Sequence, residues 1–107
     1  MALNELNFTF SPETPKPFPL EGTHRGVVGS GDMEVMFTKQ DLGGKVEFKV
    51  TTPVSGFDAV WEKVLGRFVN EQQISDCVIE INDNNATPVV VSMRMRQAIE
   101  EALQGVE

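Results

Sequence analysis

Residues 5 to 10 alternate, with Leu6, Phe8 and Phe10 on one face and Asn7 and Thr9 on the other, which predicts a half-buried strand. Alternation returns on either side of Gly29-Ser30-Gly31-Asp32, so residues 22–29 and 32–39 read as a hairpin with Met33, Val35 and Phe37 pointing one way. Gln40-Asp41-Leu42-Gly43-Gly44 is a second turn signal, and Lys45 to Thr52 alternates again with Val46, Phe48 and Val50 inward. Strands following one another in this way predict an antiparallel sheet with one wet face. Between the first strand and the hairpin, residues 11–20 hold four prolines in ten positions. Such a stretch lacks backbone donors and favours extended geometry, so it reads as a stiff connector.

The period then changes. Phe57, Val60, Trp61, Val64, Leu65 and Phe68 fall at helical spacing, with Ser55 and Asp58 placed like a capping pair, and Trp61 in the middle of this stripe reads as core. Residues 76–82 return to strand alternation through Cys77, Ile79 and Ile81, and Asn82-Asp83-Asn84-Asn85 reads as a turn. Thr87 offers an N-cap and Pro88 the favoured first helical position, after which Val91, Met95, Ala98, Ile99, Ala102 and Leu103 continue at helical spacing. Residues 89–96 also pass for a strand by alternation. The elements sum to an α+β two-layer sandwich: a mostly antiparallel sheet of about five strands with two helices on one face.

The length, 107 residues, suits a single domain spanning 1–107, and seven Phe and one Trp suffice for a core without disulfides or metal. A net charge of −7 argues against nucleic acid as the main partner and suits docking on basic partner surfaces. The lone cysteine, Cys77, excludes a disulfide framework and a Cys-rich zinc site. The N-terminal residues do not read as a signal peptide, and no apolar run approaches the ~20 residues that span a bilayer. A cytoplasmic protein with no membrane partner is expected, which makes the sequons at Asn7 and Asn85 coincidental.

Little of the usual chemistry is present. His24 stands alone without a nucleophile or second ligand and reads as structural. Asp83-Asn84-Asn85 opens like a calcium loop, but Pro88 and Arg94 occupy the positions that require glycine and glutamate. Glu100 and Glu101 read as a solvated helix face, and Cys77 as a small core residue. What remains is Ser30 between two glycines, with Asp32 two residues on. Gly29, Ser30, Gly31 and Asp32 are good turn chemistry in themselves. They are also what a modifying enzyme needs, a hydroxyl whose flanking glycines let a foreign active site approach the backbone.

Val28-Gly29-Ser30-Gly31-Asp32-Met33-Glu34-Val35, then Thr51-Thr52 ahead of a Trp-containing helix, then Ile81-Asn82-Asp83 leading to Ala86-Thr87-Pro88, resembles the acyl carrier (delta) subunits of bacterial malonate decarboxylase. The likeness runs from about residue 22 to residue 104, and extends more distantly to the carrier subunit of citrate lyase. It implies that Ser30 is esterified to a 2'-(5''-phosphoribosyl)-3'-dephospho-CoA arm whose thiol carries acetyl or malonyl, with Gly29, Gly31 and Asp32 as the supporting turn. It further implies a non-catalytic carrier whose partners are acyl transferase and decarboxylase subunits and a transferase that attaches the arm. The chain departs from the family pattern at Asn84-Asn85, where Phe-Gly is usual, at Val89, where glycine is common, and at Pro53, where serine is. These departures bear on partner contacts and leave the attachment turn intact. The alternatives are a citrate-lyase-type carrier, favoured less by the Trp61 helix and the Ala-Thr-Pro segment, and a small interaction domain in which Gly-Ser-Gly-Asp only turns the chain.

Overall fold

A computed structural model describes residues 3–26, 33–84 and 88–103. The chain runs β1 (Asn4–Phe10), β2 (Lys16–Pro17), β3 (Thr23–Gly26), β4 (Met33–Lys39), β5 (Val46–Thr52), α1 (Asp58–Gln72), β6 (Ile74–Ser75), β7 (Cys77–Asp83) and α2 (Pro88–Ala102). Five strands form one sheet in the order β1-β5-β7-β4-β3, and β2 and β6 form a separate pair. The expected α+β class and two helices hold, and the sheet is mixed. Its β1–β5, β4–β7 and β3–β4 pairs are antiparallel, whereas β5 and β7 at its centre are parallel. A parallel pair needs a crossover rather than a hairpin, and α1 supplies it.

Alternation decides which face is dry. Val46, Phe48 and Val50 of β5, Cys77, Ile79 and Ile81 of β7, and Met33, Val35 and Phe37 of β4 are all buried. The register sets Phe48 and Phe37 on either side of Ile79, and Val50 and Val35 on either side of Ile81. Both helices close over this face, α1 with Trp61, Leu65, Phe68 and Val69 and α2 with Val91, Met95, Ala98 and Ile99. Residues 89–96 are thus helical, and the period of about 3.6 wins over the fortuitous alternation.

The stripe on α1 is rotated from the one the sequence suggests. Phe57 is the N-cap and Val60 lies in the first turn, yet they are 41% and 37% exposed, while Val69 joins the core. No side chain caps the helix, so Ser55 and Asp58 form no capping arrangement. The proline-rich stretch does more than connect. Lys16 N–H donates to Gln73 O at 2.8 Å and Phe18 N–H to Ser75 O at 3.0 Å. In Pro15-Lys16-Pro17-Phe18-Pro19 the two residues that must donate are the two that can, and the prolines fall between them. This strap drives Phe18 wholly into the core, its ring stacked 5.6 Å from that of Phe37.

At the far end of the sheet Asp76 adopts φ +52° and clamps the 40–45 turn. Its Oδ1 accepts from Leu42 N–H at 2.8 Å and Gly44 N–H at 3.2 Å, and Ser75 Oγ donates to Oδ2 at 2.8 Å. The Leu42 N–H first, then the Ser75 hydroxyl and the Gly44 N–H, hold this carboxyl below its ordinary value of 3.8. A carboxyl lowered in the folded state stabilises the fold above its unfolded pKa, and that contribution is lost as pH falls through the folded value. Asp76→Asn should therefore lower the urea midpoint at neutral pH, and the gap to the parent should close below about pH 4. A gap that does not change with pH would show that the charge of Asp76 adds nothing.

Candidate functional site

Gly29, Ser30, Gly31 and Asp32 lie outside the described residues, as do Asn85 and Thr87. The structure fixes the two points between which the Ser30 segment runs, Gly26 at the end of β3 and Met33 at the start of β4. These strands pair antiparallel from Thr23↔Thr38 to Gly26↔Val35, as a hairpin around this segment requires, and the Thr23 and Thr38 hydroxyls meet at 2.9 Å. Short, alternating strands flanking glycine are what the sequence offers there, and the ladder follows from them.

The other strands show what surrounds that end. Met33 stands opposite Asp83, and Asn82 lies between Glu34 on one side and Thr51 on the other. The start of β4, the end of β7 and the end of β5 are therefore neighbours. The three connections 27–32, 53–57 and 84–87 all leave the sheet at this end, although they are far apart in sequence. Both helices also begin here, since each follows one of those connections. The strand ends at Met33, Thr51-Thr52 and Ile81-Asn82-Asp83 thus lie side by side. Pro53 and Asn84, two of the departures from the family pattern, directly follow Thr52 and Asp83 at the same end.

At the centre of this end is a polar pair that the sequence reading missed. Asn82 and Asp83 belong to β7 rather than to a turn, and Asp83 is only 5% exposed. Thr52 is wholly buried and donates its hydroxyl to Asp83 Oδ2 at 2.8 Å, while its oxygen accepts from Val54 N–H at 3.2 Å. The signal was present, because the inward alternation Cys77, Ile79, Ile81 continues one step further to Asp83. The turn-forming habit of Asn and Asp outweighed it.

The remaining candidates do not gather here. His24 Nε2 sits 2.7 Å from the Glu21 carbonyl oxygen, and its ring lies 6.1 Å from that of Phe18, a structural setting. Burial pushes the Cys77 thiol up to about 12, which makes it a poor nucleophile. Arg96 reaches across from α2 to the Glu71 carboxylate on α1 at 2.9 Å and ties the helices on their outer side. Among the described residues no group of three His, Cys, Asp or Glu could hold a metal ion, and no helix is long and apolar enough to cross a membrane.

Known proteins resemble this chain along most of its length. The model of the malonate decarboxylase delta subunit family matches residues 21–102, a span that includes all three segments. The malonate decarboxylase acyl carrier protein of Malonomonas rubra is 55% identical over 94% of this chain and 89% of its own length. That of Stenotrophomonas maltophilia (strain K279a) is 35% identical over 96% of this chain and 97% of its own. Among solved structures, a chain in the crystal structure of a Pseudomonas malonate decarboxylase hetero-tetramer in complex with malonate superposes with a TM-score of 0.65 at 31% identity, covering 95% of this chain and 99% of that one. The family model begins at residue 21, after β1 and the proline strap, yet the relatives extend over most of that N-terminal part as well.

Proposed function

The chain belongs to the malonate decarboxylase delta-subunit family, the acyl carrier proteins of that enzyme, and we propose that it does its work through Ser30. It is a carrier and not a catalytic subunit. In this reading the Ser30 oxygen carries a 2'-(5''-phosphoribosyl)-3'-dephospho-CoA arm through a phosphodiester link. That arm supplies a terminal thiol on which acetyl and malonyl ride as thioesters. Gly29 and Gly31 keep side chains away from the reacting oxygen, and Asp32 orients the hydroxyl or closes the turn.

The observation that supports this best is that the strand ends carrying Thr51-Thr52 and Ile81-Asn82-Asp83 lie beside Met33, the residue at which the Ser30 connection ends. A second support is chemical. Decarboxylation builds negative charge on the thioester oxygen, which preorganised donors in a dry site must stabilise. A hairpin connection on a small domain is built instead to be handled by others. Acyl transferase and decarboxylase subunits would supply those donors, and a separate transferase would attach the arm. The carrier adds tethering, because a substrate on a short arm visits successive sites at high effective concentration. A cytoplasmic location belongs to the same reading.

Mass spectrometry tests it directly. Trypsin cuts after Arg25 and Lys39, and Ser30 is the sole serine of the peptide Gly26–Lys39. Protein from the native host should show that peptide heavier by the arm, and protein made without the attaching enzymes should show it bare. An unmodified Gly26–Lys39 peptide in a preparation that decarboxylates malonate would end the Ser30 assignment.

A further inference from the structure

The two edges of the five-stranded sheet differ. β3 is four residues long and ends at Gly26, a short edge that offers little to a neighbouring strand. β1 is seven residues long, and its pairs run from Asn4↔Thr52 to Phe10↔Val46 without a slip, so no bulge bends it away. Asn4–Phe10 holds no proline, glycine, lysine or arginine, and its one charge is Glu5. The devices that usually blunt a sheet edge are therefore missing from it. Among the described residues only β5 pairs with β1. In an antiparallel pair every second residue turns its N–H and C=O away from the partner, so a row of backbone donors and acceptors lies along this edge.

The side chains of β1 dictate the chemistry of a strand that could join it. On the helix side Leu6, Phe8 and Phe10 pack against the core but are only partly buried, whereas Val46, Phe48 and Val50 of β5 are at most 1% exposed. Apolar residues on a neighbouring strand would cover what is left. On the outer side Glu5, Asn7 and Thr9 are exposed. A hollow of about 400 Å³ opens there beside the edge, with Glu5, Asn7, Lys49, Glu80 and Asn82 in its lining. Two carboxylates outnumber one ammonium in it, so it suits a long basic side chain better than an acidic one.

We propose that the free edge of β1 takes up an extended segment of a partner subunit as a sixth strand, apolar on its helix side and bearing Lys or Arg on its outer side. Backbone hydrogen bonds supply the affinity, and the alternating side chains the selectivity. A second copy of this chain meets neither need as well. Its β1 brings no basic residue, and two molecules of charge −7 repel each other. β5 and β7 stand between β1 and the β3–β4 hairpin, so a partner held here leaves the opposite margin of the sheet open. The proposal rests on the carrier working beside partner subunits and not on Ser30.

The test titrates full-length carrier against the remaining subunits of the decarboxylase, purified without it. All carriers are made without the attaching enzymes, so that no arm contributes and the outcome is independent of Ser30. Bound parent should show alternate amides of residues 4–10 exchanging with deuterium about tenfold or more slowly than in the free carrier, since only those turned outward gain a partner. Glu5→Lys should weaken binding by about tenfold or more, because it sets like charges against each other at the edge. Glu100→Lys makes the same change of charge at an exposed position on α2 and should weaken binding by less than about threefold. A parent that does not bind, or binds without slowing those amides, overturns the proposal, and so does a Glu5→Lys variant no weaker than Glu100→Lys. Protection that grows with the concentration of carrier alone would overturn it in favour of a second copy. If Glu5→Lys does not fold, the exchange of the parent decides by itself.

Discussion

Ser30→Ala should fold as the parent does, take up no prosthetic arm, and leave a reconstituted complex of partner subunits without malonate turnover. The first part follows from where the fold is held. The core is built by β4, β5 and β7, by Phe18, and by the inner faces of α1 and α2. Removing one oxygen from a small residue between two glycines is expected to change stability by no more than about 0.5 kcal/mol. The second part follows from chemistry, because alanine has no oxygen to esterify. Gly26–Lys39 contains no other serine, and Thr38 is engaged with Thr23 across the ladder. The third part follows from tethering. Without an arm the acyl group must reach each active site by diffusion, and the millimolar effective concentration that a short tether provides is lost. Ser30→Thr grades the same prediction, because its added methyl crowds the oxygen, so attachment should slow without vanishing. Turnover by the alanine variant at the parental rate, or a gain of the arm's mass at another residue, would mean that Ser30 only turns the chain.

Much of the fold was legible because alternation and helical spacing report burial directly. Leu6-Phe8-Phe10, Met33-Val35-Phe37, Val46-Phe48-Val50 and Cys77-Ile79-Ile81 all mark strands, and Val91-Met95-Ala98-Ile99 marks the inner face of α2. What failed did so where local preference and tertiary context disagree. Local pattern cannot tell that β5 and β7 are neighbours, since a parallel pair is joined through a crossover and leaves no turn signature between its strands. The strap at Lys16–Pro17 was hidden because the four prolines of residues 11–20 read as a stiff extended connector lacking backbone donors, although Phe18 among them is wholly buried. Ile74 and Ser75 were passed over because two residues are too few to show a period. At the candidate site the segments could be quoted one by one from the sequence, but that their strand ends lie side by side follows only from the register Met33↔Asp83 and Thr51↔Asn82. The Thr52–Asp83 pair was lost for the opposite reason, a strong turn propensity overruled by burial.

The rotated stripe on α1 leads to the second large effect. Trp61 is 4% exposed and anchors a buried line with Leu65, Phe68 and Val69, while Phe57 and Val60 of the original stripe look outward. Trp61→Ala leaves a large void beneath the helix that makes the crossover between β5 and β7, and should cost about 3–5 kcal/mol. Against a total of about 5–15 kcal/mol for a domain of this kind, that is a substantial part of its stability. Val60→Ala, one residue away, replaces a partly exposed side chain and should cost less than about 1 kcal/mol. Phe57→Ala, at the N-cap, belongs with it rather than with Trp61. Urea unfolding followed by far-ultraviolet circular dichroism measures all three on one scale and needs no tryptophan signal. Trp61→Phe should recover part of the loss, because the ring refills some of the space but not all of it. A Phe57→Ala variant as damaged as Trp61→Ala would mean that α1 turns the face read from its sequence toward the sheet. That outcome would also misplace the start of the helix, and with it the Val54 end of the connection that Thr52 holds to Asp83.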